Sequence, residues 1–307
     1  MNKRIAVIDL GTNTFHLLIA EPAAEGFRTL VREREAVKIG MGGINNGLIT
    51  EAGVARALAT LQKFKATIDA WQTDLVLAIG TSALRNARNG SEVVRQIEQE
   101  TGIVPRIISG EEEADLIYKG VAAAVPWGEA PALVVDIGGG SVEFIIGNQK
   151  HALWRASLEI GGQRLLEMFQ QHDPIWSSEV EALKIYLAEK MEPVLAQLRL
   201  HQPRTLVGSS GTFDTLSEIY CYRNGLPYRL DDRETPFSKH AFGPIYEELL
   251  RKNRAQRLQI PGMIELRVDM IVVACCLIDF LLSNHGFEDI RVSTWSLKEG
   301  VLVGGGW

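Results

Sequence analysis

Apolar positions along this chain follow two different periods. Near the N-terminus they run in short, nearly continuous blocks, Ile5 to Ile8 and Phe15 to Ala20, on either side of "DLGTNT". Such blocks predict a buried β-hairpin. "RTLVREREAVKI" alternates in character and predicts a third strand. A glycine-rich loop, "GMGGINNG", follows from Gly40. The spacing then changes. Val54, Leu58, Leu61, Phe64 and Ile68 fall on one helical stripe behind Thr50, a suitable cap. "DLVLAIGTSALR" reads as a buried strand entering a polar loop, "SEVVRQIEQETG" as a helix stopped by glycine, "VPRIISG" as a strand and "EEEADLIYKGVAAAV" as a helix. After the turn "PWGEAP" a second round begins. "ALVVDIGGGSVEFIIG" reads strand, glycine turn, strand, and "HALWRASLEIGG" is a third strand. Helices follow in "QRLLEMFQQH" and "SSEVEALKIYLAEKMEPVLAQLRL". Next come a strand in "RTLVGSSGT" ending in a small-residue turn, a helix in "TFDTLSEIY", two more helices and a strand in "DIRVSTWS". Strands alternating with helices behind an opening meander predict an α/β layer.

The two rounds are copies. "AVIDLGTNTFHLLI" lies over "LVVDIGGGSVEFII" without a gap, so Asp9 matches Asp136, Gly11 matches Gly138 and Thr14 matches Ser141. Two apolar hairpins could arise by chance, but a shared polar core is better explained by two domains of one architecture. The expected junction lies near 126, giving domains 1–125 and 126–307, the last segment of the second packing back on the first. A length of 307 residues suits roughly two domains.

Composition narrows the function. The chain is 46% hydrophobic and 23% charged, as expected of a globular protein with ample core. Its net charge of −6 argues against a nucleic-acid or membrane-surface binder, which needs a basic face. The three cysteines, Cys221, Cys275 and Cys276, show no metal or redox spacing and read as buried thiols of a reducing cytoplasm. Asp9 interrupts the first apolar block, which argues against a signal peptide. "MIVVACCLIDFLL" from Met270 is too short to span a bilayer and predicts a buried helix.

The duplicated turn carries the candidate chemistry. Glycines let backbone N–H groups converge on an anion. Hydroxyls of Thr12, Thr14 and Ser141 can donate to phosphoryl oxygens. Asp9 and Asp136 repel a phosphate by themselves, and they make sense as ligands of a Mg²⁺ that bridges to it. Structural hairpins with Asp as a local cap would explain either copy alone. Gly138-Gly139-Gly140 is no dinucleotide fingerprint, because a strand rather than a helix follows, and the chain has no Walker A sequence.

The two hairpins resemble the phosphate-binding loops of the actin-like ATPase, sugar kinase and heat-shock chaperone superfamily. With "GTSALRNARNG", "ISGEEEADLIYKGV" and "VDIGGGSVEF", they resemble more narrowly the exopolyphosphatase and guanosine pentaphosphate phosphatase (Ppx/GppA) family. Weaker echoes in "LVGSSGTFDTL" and "IPGMIELRVDMIVV" extend the likeness over nearly the whole chain. The resemblance implies two actin-like (ribonuclease H-like) domains with mixed sheets and an interdomain cleft. It implies that Glu113 activates the attacking water, that Arg85 holds phosphate, and that Asp136 and Glu143 serve the metal and catalysis. Gly11, Thr12, Asn13 and Thr14, together with Gly138, Gly139, Gly140 and Ser141, match the two phosphate loops. Independently, Glu113 shares a helical stripe with Ile117 and Gly120 and should face inward, where a carboxylate is costly unless used or paired. Glu111 and Glu112 need no more than the helix dipole to explain them. Arg85 could instead form a surface salt bridge, although its place just after a strand end favours an anion contact. His16 stands where the second copy has Glu143 and reads as packing or a phosphate contact. Val142, Ser210, Ser296 and Lys298 depart from the family's usual threonine, glycine, glycine and arginine.

These readings lead to an expected cytoplasmic hydrolase that releases orthophosphate from short inorganic polyphosphate with Mg²⁺, with guanosine pentaphosphate as the second substrate candidate. A homodimer is expected from the family alone. A kinase or ATPase of the same fold and a silent polyphosphate- or alarmone-binding regulator remain open. Asp9 stays divided between metal ligand and turn-former.

Overall fold

The computed structural model describes residues 3–24, 26–229 and 231–305. The first half contains β1 (Ile5–Leu10), β2 (Thr14–Pro22), β3 (Phe27–Ala36), α1 (Glu51–Ala70), β4 (Leu75–Gly80), α2 (Ser82–Asn86), α3 (Gly90–Thr101), β5 (Pro105–Ile107) and α4 (Gly110–Ala124). The second contains β6 (Ala132–Ile137), β7 (Val142–Gly147), β8 (Ala152–Leu158), α5 (Gly162–Phe169), α6 (Ser177–Lys190), α7 (Glu192–His201), β9 (Thr205–Ser209), α8 (Ser210–Asn224), β10 (Glu234–Thr235), α9 (Lys239–Arg251), α10 (Arg254–Arg257), α11 (Ile271–Asn284), β11 (Asp289–Ser293) and α12 (Leu297–Val303).

The two sheets repeat one topology. The first runs β3-β2-β1-β4-β5 and the second β10-β11-β9-β6-β7-β8. In each, a three-stranded antiparallel meander leads, and two further strands add in parallel beside its first strand. The two-residue β10 closes the far edge of the second sheet, antiparallel to β11. This is a duplicated actin-like fold with two mixed sheets.

Local chemistry explains the elements. β1, β6 and β7 are covered on both faces and are apolar except for Asp9, Asp136 and Glu143, the carboxylates beside the turns. Thr50 caps α1 by accepting from the Gly53 N–H at 3.1 Å, and Gly102 ends α3 in the left-handed region. The apolar run from Met270 becomes α11, whose Cys275 and Cys276 lie in the largest core cluster. No helix among the described residues is long and apolar enough to cross a membrane.

Two expectations of loop are corrected. The residues after β4 coil at once into α2, because the backbone continues as a helical turn in which the Arg85 N–H bonds to the Thr81 carbonyl at 2.9 Å. The "GSSGT" segment is no free turn: β9 passes directly into α8 through Ser210, which holds φ at +70°.

Helices α4 and α12 tie the halves together. α4 packs over β6, β7 and β8, while its cluster also takes in Ile79 of β4. α12 packs on α4 and on β1, with Leu302 against Ile5, Val7 and Leu18. The crossing is close enough to require glycine on both helices. A Cβ on Gly300 would lie 1.8 Å from the Leu116 carbonyl oxygen, and one on Gly120 would lie 2.2 Å from that of Ser296.

Candidate active site

Both glycine turns open at the same ends of their sheets and meet. In β1–β2, Asp9 stands opposite His16, and in β6–β7 Asp136 stands opposite Glu143, so the sequence duplication is also a duplication of register. The turns touch across the junction. A Cβ on Gly139 would fall 2.9 Å from Asn13 Cγ, and one on Gly140 would fall 2.5 Å from Thr12 Oγ1 and 2.4 Å from Ser82 Oγ. Residues of both turns line the cleft between them, together with Asp9, His16, Glu113, Asp136 and Glu143. Thr12 Oγ1, Asn13 Oδ1 and Thr14 Oγ1 are buried there without a hydrogen-bond partner. Leaving such a group unpaired costs about 1–3 kcal/mol, so three on one loop point to a ligand that pairs them.

Glu113 enters from α4. Ser109 caps that helix, its Oγ accepting from the Glu112 N–H at 3.1 Å, and the face bearing Glu113, Ile117 and Gly120 turns inward. Glu113 is only 6% exposed. Arg85 Nη1 donates to its Oε2 at 2.7 Å and to the Ile108 carbonyl at 3.2 Å. Burial dominates: it pushes the Glu113 carboxyl up to about 7 despite Arg85, with Asp136 and Glu159 pushing the same way. A carboxyl poised there can accept a proton near neutral pH.

Asp136 and Glu143 form the acidic wall. Asp136 Oδ2 accepts from Ser209 Oγ at 2.7 Å and from Ser296 Oγ. Burial raises its pKa, against the pull of those hydroxyls and of Lys298 and Arg267. Glu143 Oε1 accepts from Ser157 Oγ at 2.7 Å. Burial holds Glu143 well above the usual carboxylate range, and the charges of Glu113 and Asp136 add to the effect. Asp9 is pushed up to about 7, again chiefly by burial, with Lys298 opposing and Glu113 and Asp136 reinforcing. His16 is held well below its usual value by burial and then by Lys298, Arg267 and Arg34, so it stays neutral.

This donor set suits a hard divalent cation. Among the described residues no three His, Cys, Asp or Glu side chains converge into a metal cage. Mg²⁺ needs none, since it binds through one or two carboxylates and takes its remaining oxygens from water and phosphate. Crowded, desolvated carboxyls are the groups that such a cation would relieve.

A family model supplies the decisive comparison. The model of the Ppx/GppA phosphatase family matches residues 18–305. The chain belongs to this family. A crystal structure of an exopolyphosphatase from Cytophaga hutchinsonii is 44% identical, with a TM-score of 0.95 over 98% of this chain and 96% of its own. The crystal structure of the Aquifex aeolicus Ppx/GppA family member is 25% identical, with a TM-score of 0.80 over 99% and 97%. A Haemophilus influenzae relative is 28% identical over 300 residues, 98% of this chain and 90% of its own.

The Ppx/GppA match begins after the first turn, so the pairing of Gly11–Thr14 with the second loop rests on the duplication and its register. All the residues singled out as phosphate-binding or acidic in the sequence line the one cleft, and Arg85 stands behind it on Glu113. Several neighbours carried no sequence signal of their own. Ser82 and Ser209 are ordinary serines until the fold brings them to Glu159 and Asp136, and Ser296, marked in the sequence only as a departure from the family's glycine, also meets Asp136. Arg267 is 9% exposed, lines the cleft and leaves Nε unpartnered. It lies flat on Gly211, where a Cβ would be 2.0 Å from Cζ, and that glycine in "GSSGT" was the available hint.

Proposed function

We propose that this Ppx/GppA phosphatase is an exopolyphosphatase that hydrolyses the terminal anhydride of short inorganic polyphosphate. One observation carries the reading: two phosphate-loop turns meet beside Glu113 with the buried oxygens of Thr12, Asn13 and Thr14 unpaired. The loop N–H groups and the hydroxyls of Thr12, Thr14 and Ser141 bind the terminal phosphoryl group. Glu113 orients a water and takes its proton at Oε1, because Oε2 is held by Arg85. The water oxygen bonds to phosphorus as the anhydride P–O bond breaks. The electron pair leaves on the shortened chain, and orthophosphate is the product. Mg²⁺ held by Asp136 and Glu143, with Asp9 on the facing hairpin, would supply charge stabilisation at the phosphoryl oxygens. Arg267 and Lys298 offset the charge of the acidic wall.

The test is orthophosphate release from tripolyphosphate, longer polyphosphate, guanosine pentaphosphate and ATP, each with Mg²⁺ and with chelator. Release from polyphosphate that collapses with chelator is expected. Faster release from guanosine pentaphosphate would reassign the substrate, and ADP from ATP with no polyphosphate hydrolysis would overturn the reading.

A further inference from the structure

Beside the phosphate loops, three donors from opposite halves of the chain converge on one carboxylate. Glu159 follows β8, and its side chain is 40% exposed. Its Oε2 accepts from Ser82 Oγ at 2.6 Å and from Arg164 Nη2 at 3.0 Å, and its Oε1 accepts from Arg85 Nη2 at 3.2 Å. Ser82 is buried, and the two arginines are largely covered and held by other partners. Ser82 is 1% exposed, and the side chains of Arg85 and Arg164 are 16% and 13% exposed. Arg164 is fixed by Nε on the Gly140 carbonyl at 2.9 Å and by Nη1 on the Ile44 carbonyl at 3.0 Å, and Arg85 by Glu113. Ser82 Oγ would lie against a Cβ placed on Gly140, so the cluster adjoins the second phosphate loop.

We infer that Ser82, Arg85 and Arg164 form an anion subsite for a phosphoryl group, and that the Glu159 carboxylate is its internal occupant, displaced when phosphate binds. Two guanidinium N–H groups and a hydroxyl around one carboxylate form a donor set that suits a phosphate, whose oxygens accept charge-assisted bonds from all three. The asymmetry of burial sets the direction of exchange. An exposed carboxylate regains water when it leaves, and such surface pairs contribute little. Arg85 retains Glu113, whereas the other partners of the largely buried Arg164 are backbone carbonyls, so its guanidinium needs an anion in place of Glu159. Phosphate supplies more acceptor oxygens than Glu159 and keeps both halves bridged. The inference rests on the phosphohydrolase reading for its place in turnover, but the subsite itself can be tested by binding.

An internal competitor lowers apparent affinity by the fraction of time the subsite is free. With that fraction at about a third or less, Glu159→Gln should lower the KM for tripolyphosphate at least ~3-fold. Calorimetric titration with orthophosphate should show the same gain. A KM drop without tighter orthophosphate assigns the subsite to a phosphoryl group within the chain, and tighter orthophosphate alone assigns it to the released product. Arg164→Gln should weaken both. Glu159→Ala, with its melting temperature recorded, must repeat the gain if loss of the carboxylate is the cause. Unchanged or weaker binding of both ligands in folded Glu159→Gln and Glu159→Ala would overturn the inference, leaving Glu159 as a strut for the two arginines. If no form of the enzyme hydrolyses any chain, the activity reading fails, while the orthophosphate titration still decides the subsite.

Discussion

Glu113→Gln separates chemistry from folding at the centre of the site. The substitution keeps the shape and removes the basic oxygen. A positioned general base contributes typically ~10²–10⁴ in rate, so orthophosphate release from tripolyphosphate at pH 8 with Mg²⁺ should fall by that factor. The structure also fixes the pH dependence. The folded carboxyl titrates at about 7, so the basic form, and with it kcat, should rise as pH passes upward through about 7. The stability effect has the opposite sign. The folded pKa lies above the ordinary 4.5, so between those values the folded state holds the proton more tightly than the unfolded chain. Stability from this group is complete below about 4.5 and is lost as pH rises through about 7. The amide of the variant would carry no charge to desolvate, while Arg85 keeps Glu159 and the Ile108 carbonyl. The variant should therefore melt no lower than the parent at pH 8, and its advantage should shrink below pH 6. Turnover within threefold of the parent, or a melting temperature several degrees lower at pH 8, would refute the reasoning. The first result would remove Glu113 as the base. The second would mean that its ion pair outweighs its burial.

Three further outcomes follow from the geometry. Ser296→Ala takes one of the two hydroxyls from Asp136 Oδ2. Loss of such a supporting bond typically weakens a metal site ~10–100-fold, and Mn²⁺ titration of the protein without substrate should show this, with Ser296→Thr restoring most of it. Gly140→Ala puts a Cβ within 2.5 Å of Thr12 Oγ1 and 2.4 Å of Ser82 Oγ, so the two phosphate loops must separate. A displacement of about 1 Å can cost ~10²-fold, which should appear in kcat of a protein that still folds. Gly300→Ala drives a Cβ into the Leu116 carbonyl at 1.8 Å, away from the phosphate loops. Overpacking of this kind costs about 1–3 kcal/mol, to be read as a shifted urea midpoint.

The parts of this site that were legible in the sequence are those built by local patterns. The hairpin cores, the caps at Thr50 and Gly102 and the inward face of α4 all follow from spacing and turn chemistry, and each lies where the pattern put it. The duplicated Asp–Gly turns were visible because the repeat is ungapped. Ser82, Glu159 and Arg164 were not visible. Ser82 lies 77 positions from Glu159, and the bond between them exists only because α2 and the end of β8 meet across the cleft. The stretch holding Ser82 also reads as a loop, since a five-residue helix with small polar residues has no apolar period to reveal it. Arg85 shows the same limit from the other side. Its place after a strand end marked it as an anion contact, but which anions it meets is decided by α4 and by the turn after β8.

The duplication also explains why one backbone motif can serve two opposite charges. Cross-strand neighbours on one face of a sheet lie close enough to act as a unit. In the first half that row is Asp9, His16 and Arg34, and in the second it is Asp136, Glu143 and Ser157. The strand register is shared, and only the second and third members differ. On the first hairpin a neutral histidine, with Lys298, Arg267 and Arg34 near it, would favour phosphate oxygens. Two buried carboxylates steadied by serine hydroxyls would favour a cation at the second. On the proposed reading, a polyphosphate with its counter-cation would use both walls at once. Two copies of a turn that had stayed alike would offer either two anion sites or two cation sites. Divergence at His16 and Glu143, on backbones that remain superimposable in register, turns the repeat into a clamp with a polarity.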